Sequence, residues 1–178
     1  MIRGYRIVGA VLTLASCFGG VMGCQQDTPD SKPVASAVPI VYPTDYTVPH
    51  HIGTVMSRDQ RPYLYAKKGE AGFVLYGPYV ALPEGDYTVT FRLRGEHPGT
   101  QAMAILDVNA FDPPTHTSRT LSSLVIRGTD FAAPDQFRNF TLHFSTKGLA
   151  GETRYEFRVH SSGASGLWVD QRMLRPTG

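Results

Sequence analysis

Beyond residue 24 the chain has no cysteine; its two thiols, Cys17 and Cys24, both fall in the first two dozen of 178 residues. Everything downstream is therefore without disulfides, thiolate catalysis or cysteine-bound zinc. Charge is scarce as well. Asp, Glu, Lys and Arg make up 18% of the chain and nearly cancel, leaving +2, so no single-sign field is available to hold nucleic acid or an acidic membrane. The apolar run at residues 7–14 is less than half the length a bilayer-spanning helix needs. Catalytic signatures are missing too, with no G-x-S-x-G elbow, P-loop, G-x-G-x-x-G, H-x-H or H-E-x-x-H. His50 and His51 are adjacent, so in an extended segment they point to opposite faces. Many of the carboxylates (Glu84, Asp86, Glu96, Asp112, Asp135, Glu152) sit among turn residues, which does not favour the paired placement that glycoside hydrolysis requires. The expectation is a protein that is not an enzyme and carries no cofactor.

What the chain does have is alternation. Tyr87, Val89, Phe91 and Leu93 alternate with Thr88, Thr90, Arg92 and Arg94, the period-2 pattern of a half-buried strand. Pro83 and Gly85 just before it supply turn chemistry, and Gly77-Pro78 ends whatever precedes. Ten such runs are legible, at residues 52–56, 63–66, 73–76, 79–82, 87–94, 102–110, 121–127, 137–145, 154–160 and 167–174. No helical period of useful length follows residue 25, and no internal repeat is visible. Many short strands punctuated by Gly and Pro predict an all-β antiparallel sandwich or barrel. The runs at 137–145 and 154–160 read as a hairpin across residues 147–151, with Phe140, Leu142 and Phe144 facing the same way as Tyr155, Phe157 and Val159.

The pattern G-P-Y-x-x-L-P-x-G-x-Y-x-V-x-F-x-L-R within residues 76–95 resembles the first hairpin of bacterial carbohydrate-binding-module-like jelly rolls, the galactose-binding-domain-like group. The similarity continues through RGTDFAAPDQFRNFTLHF at residues 127–144 and through EFRV and LWVDQRML near the C-terminus, covering the chain from about His50 onward. It implies a jelly-roll β-sandwich at residues 40–178 that commonly binds glycans. Related domains often hold a structural calcium through a carboxylate near the last strand, which would make Asp170 the calcium candidate here. Only Asp45 stands where the acidic N-terminal strand would complete such a site, and calcium needs several oxygens.

The N-terminus carries Arg3 and Arg6 with no acid, then the apolar run, then small residues, which is the plan of a secretory signal peptide. Val21-Met22-Gly23-Cys24 and Leu14-Ala15-Ser16-Cys17 both resemble a bacterial lipobox. Cys24 is the preferred lipid acceptor because hydrated Gln25-Gln26-Asp27 follows it, with Cys17 the alternative and plain secretion a third reading. Residues 1–23 are then a lipoprotein signal peptide, and Pro- and Ser-rich residues 24–39 a flexible linker. The expected location is the bacterial cell envelope, with the membrane reached through a lipid anchor. Neither cysteine is followed by Asp, which resembles outer-membrane lipoproteins.

Five residues stand out as candidate ligand contacts. With Leu167, Val169 and Met173 facing inward, strict alternation puts Trp168, Asp170 and Arg172 on one outer face, an aromatic ring beside an acceptor and a fork of donors. Phe111 and His116 lie in a Pro-containing stretch, residues 109–119, that reads as a stiff irregular loop. The partner expected is a glycan or polysaccharide, and the alternative is a protein partner in the envelope. The lipid anchor is open to direct test. A palmitate analogue should label the wild-type chain, and Cys24→Ala or Cys17→Ala should abolish the label; labelling that survives the double substitution excludes both cysteines as the lipid acceptor.

Overall fold

The computed structural model describes residues 38–45, 47–96 and 99–177. The lipobox cysteines, the signal peptide and nearly all of the linker lie outside these residues. The described chain forms eleven strands. These are β1 (Ile40–Pro43), β2 (Thr54–Arg58), β3 (Arg61–Ala66), β4 (Ala71–Leu75), β5 (Pro78–Val80) and β6 (Asp86–Gly95). They continue as β7 (Ala102–Asp112), β8 (Thr117–Arg127), β9 (Arg138–Ser145), β10 (Arg154–Ser162) and β11 (Leu167–Pro176), with one 3-10 turn at Gly128–Asp130.

Two antiparallel sheets result, one ordered β2-β3-β11-β6-β9 and the other β4-β10-β7-β8. Strand β1 lies beside β11, and β5 beside β10. The pairs β3·β11, β4·β10, β6·β9 and β7·β8 are nested, each inside the one before. A long hairpin rolled so that alternate pairs fall in opposite sheets is a jelly roll. Alternation supplies its core, because inward positions of both sheets meet between them. Phe91, Phe157, Leu64, Leu75, Leu93 and Leu106 are fully buried there.

Two pairings read from the sequence are corrected. Strands β9 and β10 do not form a hairpin; β9 pairs with β6, and β10 pairs with β7, β4 and β5. Residues 146–153 cross from one sheet to the other. Phe144 consequently meets Phe157 and Tyr155 across the core in tilted ring contacts, with centroids 6.0 and 6.3 Å apart. The inward parity was right, but parity alone does not separate neighbours within a sheet from partners across it. In the same way β5 and β6, read as one local unit, belong to different sheets. The crossing at residues 81–85 is held by Tyr87, whose hydroxyl donates to Pro83 O at 2.9 Å, and by Thr146, whose Oγ1 donates to the same carbonyl at 2.8 Å.

Strand β11 contains an irregularity. Val169 faces Leu93, yet Gln171 faces Arg92 and Arg172 faces Phe91, so one extra residue, Asp170, is accommodated between them. A bulge of this kind inverts the facing of everything after it. On the far side of β11, β3 pairs with residues 167–169 and β1 with residues 171–174, and the change of partner falls at the same place.

The core alternation of β6 has a thermodynamic signature. Phe91→Ala should lower stability by about 3–5 kcal/mol, whereas Thr90→Ala, which loses one exposed hydroxyl contact to Thr141, should cost about 1 kcal/mol or less. Urea unfolding of the two variants reads the difference, and equal losses contradict the register.

Candidate functional site

The bulge rearranges the predicted ligand contacts. Trp168 and Asp170 remain on the outer side of the first sheet, but Arg172 turns inward and is only 3% exposed. Met173, expected inside, is the residue that faces outward, opposite Thr90. Thus Trp168, Asp170 and Arg172 do not share one face, as strict alternation required.

Trp168 sits in a row that crosses three strands, with Tyr65 of β3 on one side and Arg94 of β6 on the other. Its ring centroid is 4.4 Å from that of Tyr65, and the Arg94 guanidinium lies 4.4 Å from it. Its Nε1 donates to Glu96 at 3.2 Å. Tyr65 and Arg94 therefore flank the indole from the two neighbouring strands, and Trp168 is half-buried. Phe137 stacks on Tyr63 at 5.2 Å and carries Arg92 over its face at 4.4 Å. The result is a band of alternating rings and guanidinium groups, in which each cation is held against a negative π face.

Asp170 is 3% exposed, and its carboxylate accepts from Arg92 and from Arg61 Nη2, the latter at 3.3 Å. Two guanidinium groups already occupy the oxygens a calcium ion would take. Among the described residues no three His, Cys, Asp or Glu side chains gather into a metal-binding group. The residues present do not fit a calcium site.

Phe111 and His116 lie elsewhere. The predicted loop is a short turn, because β7 runs to Asp112 and β8 starts at Thr117. Phe111 is in strand opposite Ser118, and the two ring centroids are 6.3 Å apart. A hollow of about 240 Å³ beside this turn is bordered by Asp112, Arg119 and Thr153, with neither Phe111 nor His116 among its walls.

A better-furnished hollow opens on the outer face of the second sheet. It measures about 320 Å³ and is lined by His51, Phe73, Tyr76, Tyr79, Glu156 and Arg158, near the lower end of the range for small-ligand sites. Its apolar wall forms because the segment before β2 folds over β4. His51 N donates to Phe73 O at 2.9 Å, which sets the imidazole 4.8 Å from the ring of Tyr76 and 6.0 Å from Phe73. His160 meets Phe73 edge-on at 5.2 Å from behind.

The polar wall comes from the outward residues of β10. Arg158 donates Nε and Nη2 to the two oxygens of Asp107 at 2.7 and 3.0 Å, a bidentate pair. Its guanidinium also lies 5.2 Å over the ring of Phe73. Burial works against this positive charge, but Asp107, Glu156 and Tyr79 more than offset it and raise the pKa of Arg158 above its ordinary value. Glu156, itself buried, accepts from Asn109 Nδ2 at 2.8 Å. Partial burial, and then Glu156, raise the Tyr79 phenol above its ordinary pKa, so it remains a donor at neutral pH. Tyr79 is 47% exposed at the rim and has a positive φ of 61°. Non-glycine residues rarely adopt this conformation, and it turns the ring away from the path an ordinary strand residue would give it.

The sequence reading missed all six lining residues as a site. One signal was present. Placing Tyr155, Phe157 and Val159 inward necessarily sets Glu156, Arg158 and His160 together outside. Nothing in the sequence said that β4 would lie beside β10 and bring Phe73 to that row, opposite His160.

No known family model matches the chain, and neither does any curated protein. Solved structures of similar shape exist at low identity. The xylan-binding module CBM15 has a TM-score of 0.48 at 10% identity, over 79% of this chain and 98% of that one. A CBM4 structure gives 0.48 at 15% identity, over 78% and 86%. The CBM22-1–GH10 modules of xylanase 10B from Clostridium thermocellum, complexed with xylohexaose, give 0.45 at 11% identity; the match covers 78% of this chain, which spans about a quarter (26%) of that one. None of these likenesses bears on what this chain binds.

The Asp170 cluster yields a stability test. Arg92 is two-thirds buried whereas Arg61 is half exposed. Arg92→Ala should therefore cost about 2–3 kcal/mol, because it leaves a buried carboxylate short of its main donor. Arg61→Ala should cost about 1 kcal/mol or less. Thermal or urea unfolding that ranks the two the other way shows that Arg61 carries the pair.

Proposed function

We propose that the domain binds a glycan without catalysis, through the hollow walled by Phe73, Tyr76 and Tyr79 on one side and Glu156 and Arg158 on the other. The observation that carries this reading is the combination of a half-exposed tyrosine rim with a polar network fixed in advance. Sugars offer an apolar C–H face to a ring and a fringe of hydroxyls to charged partners, and charge-assisted bonds orient them strongly. Because Asp107 holds Arg158, and Asn109 holds Glu156, little ordering remains to be done on binding. Asp107 commits both oxygens to Arg158, which argues for a binding role over a hydrolytic one. The predicted signal peptide and lipobox support an extracytoplasmic position on a lipid tether, where polysaccharide is at hand.

A second reading, a protein-interaction domain of the envelope, is favoured by one apolar strip. Ile105 and Val125 lie side by side on β7 and β8 and are 40% and 44% exposed. Two residues make a small patch beside the aromatic hollow.

An oligosaccharide panel presented to the full chain should give binding that Tyr79→Ala weakens by about tenfold, the value of one good ring contact, without change in the unfolding midpoint. Trp168→Ala serves as the contrast. If that variant removes binding and Tyr79→Ala does not, the ligand lies on the first sheet, along the band of Trp168, Tyr63 and Phe137. If no glycan binds, the protein-interaction reading stands.

A further inference from the structure

Next to the aromatic hollow, and sharing Tyr79 with it, a second hollow of about 250 Å³ opens between the sheets. Tyr42, Pro78 and Tyr79 contribute apolar wall, Asp45 and Thr47 stand on its border, and Arg172 lines it. Arg172 reaches this place because the bulge at Asp170 turns it inward, beside Tyr42 of β1.

The guanidinium there is incompletely partnered. Nη1 donates to Gly77 O at 2.9 Å and to Phe157 O at 3.1 Å, tying the edge of β10 to the turn before β5. Nε is buried with no hydrogen-bond partner among the described residues, and the nearby hydroxyl of Thr44 is in the same condition. No carboxylate of the described residues forms an ion pair with Arg172, although every other buried guanidinium or carboxylate discussed above has one or more polar side-chain partners. Besides those two carbonyl oxygens, the π face of Tyr42, 5.8 Å from the guanidinium carbon, also sets partial negative charge against it. Burial pulls its pKa down to about 10, with Tyr42 opposing, so the group is still a cation at neutral pH. A buried cation without a counter-ion is costly, and an anion delivered from outside would offset that cost.

We propose that this hollow receives the carboxylate of an acidic sugar, a uronic-acid-type residue, with Arg172 as its counter-charge. The inference rests on the glycan-binding reading and extends it, because the two hollows share Tyr79 as a common wall. Asp45 decides which anion fits. Its Oδ1 accepts from Thr47 N at 2.8 Å and from Thr47 Oγ1 at 2.6 Å, and these bonds hold its pKa below the ordinary carboxylate value. A fixed negative charge on the border disfavours a phosphate or sulfate dianion. It also offers an acceptor to the hydroxyls that flank a sugar carboxylate. A single carboxylate among hydroxyls satisfies both Arg172 and Asp45, and a bare anion satisfies only the first.

The test uses the full chain, nitrogen-15 labelled, titrated at neutral pH with glucuronate, glucose and acetate. The Arg172 Nε–Hε resonance, identified by its loss in Arg172→Lys, reports on the site directly in the wild-type protein. Glucuronate should bind about tenfold more tightly than glucose, the value of one charge-assisted contact, and should move that resonance further than acetate does. Asp45→Asn, at a border position that burial does not constrain, should raise the preference for glucuronate over glucose about threefold by removing the like charge. Equal affinity for glucuronate and glucose, or a shift with acetate as large as with glucuronate, overturns the inference. Neutral oligosaccharides that bind in a Tyr79-dependent way without any preference for the acid would overturn it while leaving the glycan reading intact. An Arg172 response to glucuronate with no Tyr79-dependent binding of neutral sugars would do the reverse.

Discussion

The residue that governs the architecture of the last strand is Asp170. Extra backbone at that point lets β11 pair with β3 before it and with β1 after it. The two sides of the strand exchange roles there, and an arginine goes into the interior where a methionine would otherwise have gone. The carboxylate of Asp170 stabilises the irregularity by drawing in Arg61 and Arg92 from the flanking strands. Bulges at sheet positions next to a ligand-bearing face commonly re-aim one side chain in this manner. Here the re-aimed side chain is Arg172, and its neighbours are the walls of a hollow.

Most of the fold was legible in the sequence, and the reason is local. Alternation over residues 87–94 follows from nothing more than which side of a pleat each side chain occupies, so Phe91 and Leu93 were identifiable as core before any partner strand was known. The same logic failed at residue 172, because a one-residue insertion into a strand leaves no mark in composition. It failed again for β9 and β10. Their apolar positions are in phase, and phase is shared by strands that lie side by side and by strands that face each other across a core. Strand β1 was missed as a strand because four residues, one of them Pro43, are too few to show a period.

The candidate site was less legible than the fold for a related reason. Its walls come from the segment before β2, from β4, from the Gly77–Pro78 turn and from β10, which are brought together only by the rolling of the long hairpin. Sequence could identify Glu156 and Arg158 as outward but not what they would face. Trp168 attracted attention because it is the only tryptophan. Rarity is no guide to exposure, and its ring is flanked by Tyr65 and Arg94. The tyrosine that does stand free, Tyr79, follows a Gly-Pro turn and adopts a backbone conformation that composition does not announce.

The nested pairing has a consequence for how the chain comes into being. Strands β10 and β11 come after all the other described strands in sequence, yet each lies inside its sheet, with β4 and β7 flanking one and β3 and β6 the other. A chain emerging N-terminus first can close the β7–β8 ribbon early, but neither sheet gains the strand that joins its two halves until residues 154–176 have left the ribosome. Every shorter nascent chain presents strand edges whose partners do not yet exist. Contacts this distant in sequence also close slowly once they become available. The protein is thus committed to a single late assembly step, during which unpaired edges must be kept apart from those of neighbouring chains.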